Sequence, residues 1–296
     1  MIIEDKKQKE NFHPDKYLRL SYPISHQAQW IGAEMFDYDI NGQGYRSPEF
    51  KKDVDSSSIL VAGCSVTFGE GLFYKDMWSE HLTRTIKKDV FNLSSSGRSI
   101  ANIIDDIIFF IEEYGRPRII MMLLPETQRY HFWTFNKVKK LIIDRNDHDY
   151  KKILNSYSTY ELTDGNKSII KNDDELDAVG RVFNYDTRHS DMITRLYQFE
   201  KYMEAIGVPL IYTSWDEPTE IFLWTSKKIK GFFPYTKKYK EPYVEEHYDA
   251  YTEEEKDLWL EAADKPNPHP GILFQKSFAN AFYKEAIERF GEKIFN

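Results

Sequence analysis

Residues of chemically useful types follow the short apolar segments of this chain, or lie in one proline-rich segment near its end. They are Cys64, Ser65, Gly97, Arg98, Thr127, Arg129, Trp215, Asp264 and His269. A serine hydroxyl is a poor nucleophile until a base removes its proton. His269 can be that base, because an unperturbed imidazole has a pKa of about 6.5. These residue types indicate nucleophilic catalysis by Ser65 or by Cys64, against the simpler roles of a helix cap for Ser65 and a buried apolar residue for Cys64.

The segments around these residues alternate between strand and helix patterns. Short, nearly continuous apolar runs predict buried strands at 58–63, 90–93, 118–124 and 208–213. Apolar residues at three-to-four spacing predict helices over about 77–86, 100–114, 192–206 and 274–290, the third of them capped by Ser190 or Asp191. The alternation predicts an α/β fold, a three-layer α/β/α sandwich of the doubly wound, flavodoxin-like kind with a parallel sheet of about five strands. Ligands bind beyond the carboxyl ends of such strands, so we expect the residues above to meet there.

The rest of the chain predicts one domain with an extension and two insertions. Residues 1–57 are interpreted as an N-terminal extension that packs on the core, and residues 58–296 as the domain itself. The stretches at about 130–187 and 214–262 are polar, rich in aromatic residues and weakly periodic, as insertions at one end of the sheet would be. A small separate cap domain built from both stretches is the alternative.

Composition excludes several classes of protein. The 296 residues include 40 Lys and Arg and 48 Asp and Glu, and the resulting net charge of −8 argues against nucleic acid as the main partner. No apolar run approaches the roughly 20 residues of a membrane-spanning helix, and the charged start of the chain lacks the apolar core of a secretory signal. The single cysteine rules out an intramolecular disulfide framework and a multi-cysteine zinc site. We expect a protein of the cytoplasm in which it is synthesised, without metal or cofactor.

Several segments resemble the SGNH, or GDSL-type, hydrolase family. Gly63-Cys64-Ser65 is similar to the Gly-Asp-Ser block of that family, and residues 92–97 look like its second block. His269, followed by Pro-Gly and a helix, looks like its final block, and residues 41–49 resemble the lead-in of a large group of uncharacterised members. The resemblance covers roughly residues 40–129 and 264–290, and it implies the three-layer fold and an ester hydrolase.

The resemblance also implies a catalytic triad. Ser65 would attack the ester, and His269 would act first as base and then as acid. The family places the orienting carboxylate three residues before the histidine, where this chain has Pro266. Asp264 is the candidate for that role, and a Ser–His dyad is the alternative.

An oxyanion hole and substrate contacts are implied as well. The backbone N–H groups of Ser65 and Gly97 would donate to the oxyanion. The third donor of the family is an asparagine, for which Thr127 is the best positional match in this chain. Arg98 and Arg129 flank the site, where they would hold an anionic substrate group or form ordinary salt bridges.

The function that the sequence favours is a serine esterase working through an acyl-enzyme, for example a carbohydrate O-deacetylase acting on a small-molecule or glycan ester. Trp215 and the other aromatic residues of the insertions would form a stacking platform for a sugar ring, or would only pack the insertions down. The alternative is a catalytically weakened binding or structural module of the same fold, glycan-binding, or associated with a virion if a phage encodes the chain. The Gly-Cys-Ser block, the missing asparagine and the shifted aspartate motivate that alternative. A metal-dependent hydrolase is the weakest hypothesis, because no ligand cluster is visible.

Overall fold

A computed structural model of the chain describes residues 38, 40–52, 57–70, 72–95, 97–127, 129–133, 138–142, 185–239 and 270–296. Their helices and strands are β1 (Ile59–Gly63), α1 (Ser65–Phe68), α2 (Trp78–Ile86), β2 (Val90–Asn92), α3 (Ile100–Tyr114), β3 (Ile119–Leu124), β4 (Arg129–Trp133), β5 (Val138–Ile142), α4 (Tyr185–Ile206), β6 (Leu210–Ser214), α5 (Glu217–Thr225), α6 (Tyr235–Tyr239) and α7 (Ile272–Phe290). Short 3-10 turns cover Tyr74–Asp76 and Glu292–Phe295. Among these described elements, no helix is long and apolar enough to cross a membrane.

Four strands form a parallel sheet in the order β2, β1, β3, β6. Gly63 in β1 pairs with Leu123 in β3, and Leu123 pairs with Thr213 in β6, so the carboxyl ends of these three strands lie level at one edge. The strands are buried on both faces, which explains their continuous apolar runs. The predicted α/β fold is confirmed, with four strands in the described part of the chain where the sequence suggested about five.

Helices cover both faces of this sheet. Successive strand residues point to opposite faces, so Leu60 and Tyr212 pack with α3 and α4 on one side. Val61 and Ile211 pack with α2 and α7 on the other side. This arrangement is the predicted three-layer sandwich, with the carboxyl edge of the sheet left between the layers.

The lead-in segment at 40–52 contributes to the core. Phe50 lies among aromatic rings, with centroid distances of 5.2 Å to Tyr45, 5.6 Å to Phe91 and 5.1 Å to Phe110. Part of the high aromatic content of the chain is therefore used in packing this segment on β2 and α3. The division into an extension and a domain at residue 57 remains a prediction.

Two features differ from the sequence expectations. Helix α4 begins at Tyr185, so Ser190 and Asp191 lie inside the helix and the predicted cap is wrong. The apolar stripe starts at Met192, because residues 185–191, Tyr-Asp-Thr-Arg-His-Ser-Asp, carry no apolar periodicity. The described parts of the stretches at 130–187 and 214–262 contain regular elements that the weak periodicity did not predict, namely most of the antiparallel hairpin β4–β5 and the helices α5 and α6.

Candidate functional site

Ser65 lies at the carboxyl end of the central strand β1, as the first residue of the one-turn helix α1. The side chain is 4% exposed, and its hydroxyl donates to Sγ of Cys64 at 3.9 Å. Strand and helix follow one another closely because Gly63 has no side chain, and a Cβ there would lie 2.0 Å from Oγ1 of Thr67. Cys64 is fully buried in the apolar cluster that faces α7, as expected of a packing residue.

The first turn of α7 is joined to the segment that follows Ser65. Nε2 of the buried Gln275 donates to the carbonyl of Val66 at 3.0 Å, and its Oε1 accepts from the first N–H of α2 at 2.8 Å. Residues 270–271, which precede α7, are also buried. Because Val66 directly follows Ser65, this contact brings the start of α7 beside the predicted nucleophile.

The end of β2 approaches the same turn from the other side. Nδ2 of Asn92 donates to the carbonyl of Thr67 at 3.2 Å, and its Oδ1 accepts from the N–H of Ser94 at 3.0 Å. Gly97, a little further along, has a φ of 69°, in the left-handed region that favours glycine. A side chain at this position would strain the loop, and the role of the Gly97 N–H as an oxyanion donor remains a prediction.

Arg98 forms an ion pair with a carboxylate of the protein. Its Nε lies 3.1 Å from Oδ2 of Asp106 on α3, and the two side chains are 15% and 14% exposed. Burial raises the pKa of Asp106 to about 6; Arg98 works in the opposite direction, and Asp105 adds to the rise. The ion pair corresponds to the salt-bridge role that the sequence left open for Arg98, and its part in binding substrate is untested.

Thr127 links the ends of β3 and β6. Its backbone N–H donates to Oγ1 of Thr219 on α5 at 3.1 Å. Asp216 caps α5 by accepting from the N–H of Thr219 at 2.9 Å, and its own N–H donates to Oγ of Ser214 at 3.0 Å. A contribution of Thr127 to an oxyanion hole would therefore have to come from its hydroxyl.

The aromatic residues of the second insertion take different positions. Trp215 packs against the cluster that contains Cys64, and its buried Nε1 has no hydrogen-bond partner within the described ranges. Tyr235 is buried, with its hydroxyl 2.6 Å from Oγ of Ser277 on α7. Trp224 is 45% exposed, and Nζ of Lys237 lies 3.4 Å from its ring centroid. Tyr235 thus packs the insertion down, whereas a substrate contact of Trp215 remains a prediction.

The structure does not describe the side chains of three predicted site residues. Asp264, His269 and the side chain of Arg129 lie outside the residues that the structure describes, so the serine–histidine and histidine–aspartate contacts remain predictions. Among the residues that are described, no group of three or more His, Cys, Asp or Glu side chains is placed to hold a metal ion.

Arg46, Asn92 and Gln275 are buried polar residues of the site for which sequence reasoning gave no role. Gln275 lies beside the apolar stripe of α7, next to Phe274, on the side of the helix that the structure buries. Arg46 follows a tyrosine in a turn-rich segment, and nothing in its sequence environment indicates burial.

Comparison with known proteins gives matches to solved structures. No family model matches the chain, and no curated protein sequence does. TesA is 12% identical with a TM-score of 0.37, covering 77% of this chain and 97% of TesA. The esterase EstA from Pseudoalteromonas sp. is 12% identical with a TM-score of 0.38, covering 79% and 98%. The acetyl xylan esterase Est2A from Butyrivibrio proteoclasticus is 12% identical with a TM-score of 0.42, covering 84% and 66%.

Proposed function

We propose that this chain is a serine esterase that hydrolyses acyl esters through a covalent acyl-enzyme. The observation that carries the proposal is the hydrogen bond from Gln275 to the carbonyl of Val66. Gln275 lies six residues after His269, and Val66 lies one residue after Ser65. The contact supports a pairing of this histidine with this serine, since it joins the two segments that carry them.

The reaction has two halves. Oγ of Ser65 attacks the ester carbonyl while His269 takes its proton, and the resulting oxyanion accepts hydrogen bonds from the N–H groups of Ser65 and Gly97 and from the hydroxyl of Thr127. The C–O bond breaks, the alcohol leaves with the proton from His269, and the acyl group stays on Ser65. Water then attacks the acyl-enzyme while His269 takes its proton, the bond between the acyl carbon and Oγ of Ser65 breaks, and His269 returns the proton to Oγ as the acid leaves. Asp264 orients the imidazole in both halves.

The first N–H groups of a helix have no acceptor within it, which makes the Ser65 N–H a suitable donor. Helix α1 is only one turn long, so its dipole adds little, and the donors have to act through direct hydrogen bonds.

The test is hydrolysis of p-nitrophenyl acetate, with acetylated oligosaccharides beside it, and labelling of the protein by a fluorophosphonate. Ser65→Ala should lower kcat by at least about 10³-fold and abolish the label. Cys64→Ala is the matched control, because it removes the neighbouring thiol and leaves the hydroxyl; it should still be labelled at Ser65. Equal rates for wild type and Ser65→Ala would sink the proposal, and loss of the label in Cys64→Ala alone would transfer the nucleophile role to the thiol.

A binding or structural module of the same fold is the second candidate. The observation in its favour is that the Ser65 hydroxyl is almost completely buried and directed at Sγ of Cys64. If the protein is such a module, wild type should neither hydrolyse the ester nor take up the label. Calorimetry should then show that it binds acetylated oligosaccharides and leaves their acetyl groups in place.

A further inference from the structure

Arg46 is a charged side chain that is 1% exposed. Its Nη1 donates to the carbonyls of Phe68 at 3.2 Å and Gly69 at 2.7 Å, and its Nη2 donates to the carbonyl of Leu72 at 2.6 Å. A buried charge is costly unless its hydrogen-bonding groups are satisfied. Here three acceptors come from one short stretch, 68–72, at the end of helix α1.

Two aromatic rings lie against the guanidinium group. Its central carbon lies 4.4 Å from the ring centroid of Tyr38 and 5.7 Å from that of Phe68. Aromatic faces attract the guanidinium cation, and its planar fork holds two N–H directions at once. The contacts therefore determine both the position and the orientation of Arg46.

The stretch that Arg46 holds is bonded back to the predicted nucleophile. The N–H of Gly69 donates to the carbonyl of Ser65 at 2.9 Å, and the N–H of Glu70 donates to the same carbonyl at 3.2 Å. A shift of this stretch would move the backbone of Ser65 with it.

We propose that Arg46 is a positioning residue of the esterase site, which fixes the Ser65 hydroxyl for attack by clamping the carbonyls of residues 68, 69 and 72. The inference rests on the proposed function and deepens it. Arg46 does not touch the substrate, so its loss acts on the geometry of the nucleophile rather than on substrate binding.

The experiment compares wild type with Arg46→Lys. Lysine keeps the positive charge but replaces the fork by a single ammonium, which cannot hold the three carbonyls in the same geometry. We expect a folded protein whose Ser65 is labelled by the fluorophosphonate about 10²-fold more slowly, as a displacement of about 1 Å can cause. For p-nitrophenyl acetate, kcat should fall by a similar factor with KM little changed.

Arg118→Lys is the matched control. Nε and Nη2 of Arg118 donate to the carbonyls of Ile294 at 3.1 Å and Lys293 at 2.7 Å, just before β3 at the amino end of the sheet. This variant loses the same kind of contact at the opposite edge, and its labelling rate per folded molecule should equal that of wild type.

A pair of glycine variants tests the clamp without changing the arginine. A Cβ on Gly69 would lie 3.3 Å from Nη1 of Arg46 and 2.7 Å from Cγ of Met77, at a φ of +73°. Gly207 has a φ of +72° with nothing within 4 Å of such a Cβ. Gly69→Ala should slow labelling, whereas Gly207→Ala imposes the same backbone strain without affecting the rate.

The outcomes separate the two proposals. Slow labelling in Arg46→Lys and Gly69→Ala, with wild-type rates in both controls, supports the inference. An Arg46→Lys protein that is labelled and turns over as fast as wild type overturns it and leaves the esterase proposal standing. If Arg46→Lys does not fold, the Gly69→Ala and Gly207→Ala pair decides by the same criterion. A wild-type protein that neither hydrolyses esters nor takes up the label overturns the esterase proposal and this inference with it.

Discussion

Replacing Gly63 by alanine should destabilise the protein more than the same change at Gly42 or Gly231. The new Cβ would lie 2.0 Å from Oγ1 and 2.7 Å from Cβ of Thr67, and 2.8 Å from the backbone oxygen of Leu123. Rotation of the threonine side chain relieves only the first contact, because a Cβ cannot rotate away and Leu123 is hydrogen-bonded in the sheet. Adding atoms to a packed core typically costs about 1–3 kcal/mol. Three such contacts place this change at the upper end, about 3 kcal/mol.

The assay is thermal and urea unfolding of wild type and Gly63→Ala. At about 2–4 °C for each kcal/mol, the melting temperature should fall by about 6–12 °C. The clash also pushes on α1, so the labelling of Ser65 in the folded fraction should slow by about 10²-fold. The double variant Gly63→Ala/Thr67→Ala lacks the closest of the three contacts. It should recover part of the melting temperature and part of the labelling rate.

Two results would refute this reasoning. A Gly63→Ala protein that melts within about 2 °C of wild type would show that the strand and helix are not closely packed at this point. A double variant that is no better than Gly63→Ala alone would show that Thr67 is not the obstacle.

Three further predictions concern buried polar groups. Gln275→Leu leaves the first N–H of α2 unpaired and removes one of the two donors to the carbonyl of Val66, so it should lower the free energy of unfolding in urea by about 1–3 kcal/mol; a loss below about 0.5 kcal/mol contradicts this. Burial raises the pKa of Asp106 from 3.8 to about 6, so the native state holds a proton that the unfolded chain has lost, and wild type should lose stability as the pH rises from about 4 to 6. In Asp106→Asn the free energy of unfolding should not fall over this pH range, and above pH 6 it should exceed that of wild type by on the order of 3 kcal/mol in urea unfolding. Free energies of unfolding that change with pH in parallel in the two proteins would contradict this prediction. Glu285→Gln removes the buried charge that accepts from Lys238 at 2.6 Å and from Arg289 at 2.5 Å. Because both cations are partly exposed and keep other partners, the free energy of unfolding should fall by about 1–3 kcal/mol, and an unchanged melting temperature speaks against it.

The layered fold could be predicted from the sequence because its strands are buried on both faces. Such strands have to be apolar at every position, so the runs around Leu60 and Ile120 are visible without any periodicity. Helix α3 is equally clear, since its isoleucines form one apolar stripe from Ile100 to Ile111 and Gly115 follows its last residue. The start of α4 could not be predicted, because its first turns have no apolar face to mark them.

The position of the candidate nucleophile followed from the same reasoning. Ser65 comes directly after a buried strand, and the carboxyl edge of a parallel sheet is where such residues meet. The side chains that hold its turn gave no comparable signal. Arg46, Asn92 and Gln275 lie 22, 25 and 209 residues from the carbonyl groups that they bind. Contacts at such separations depend on the packing of whole layers, which local patterns do not contain.

These three side chains together hold four successive carbonyls, those of residues 66–69. A one-turn helix satisfies only some of its own carbonyl groups, and the fold supplies further donors from the lead-in segment, from β2 and from α7. Each hydrogen bond contributes only about 1 kcal/mol to stability. Their joint effect on geometry is larger, because the turn can move only if several of them break together. The position of the Ser65 hydroxyl is therefore a property of the described core as a whole, and loss of activity should follow from changes at residues that never touch a substrate.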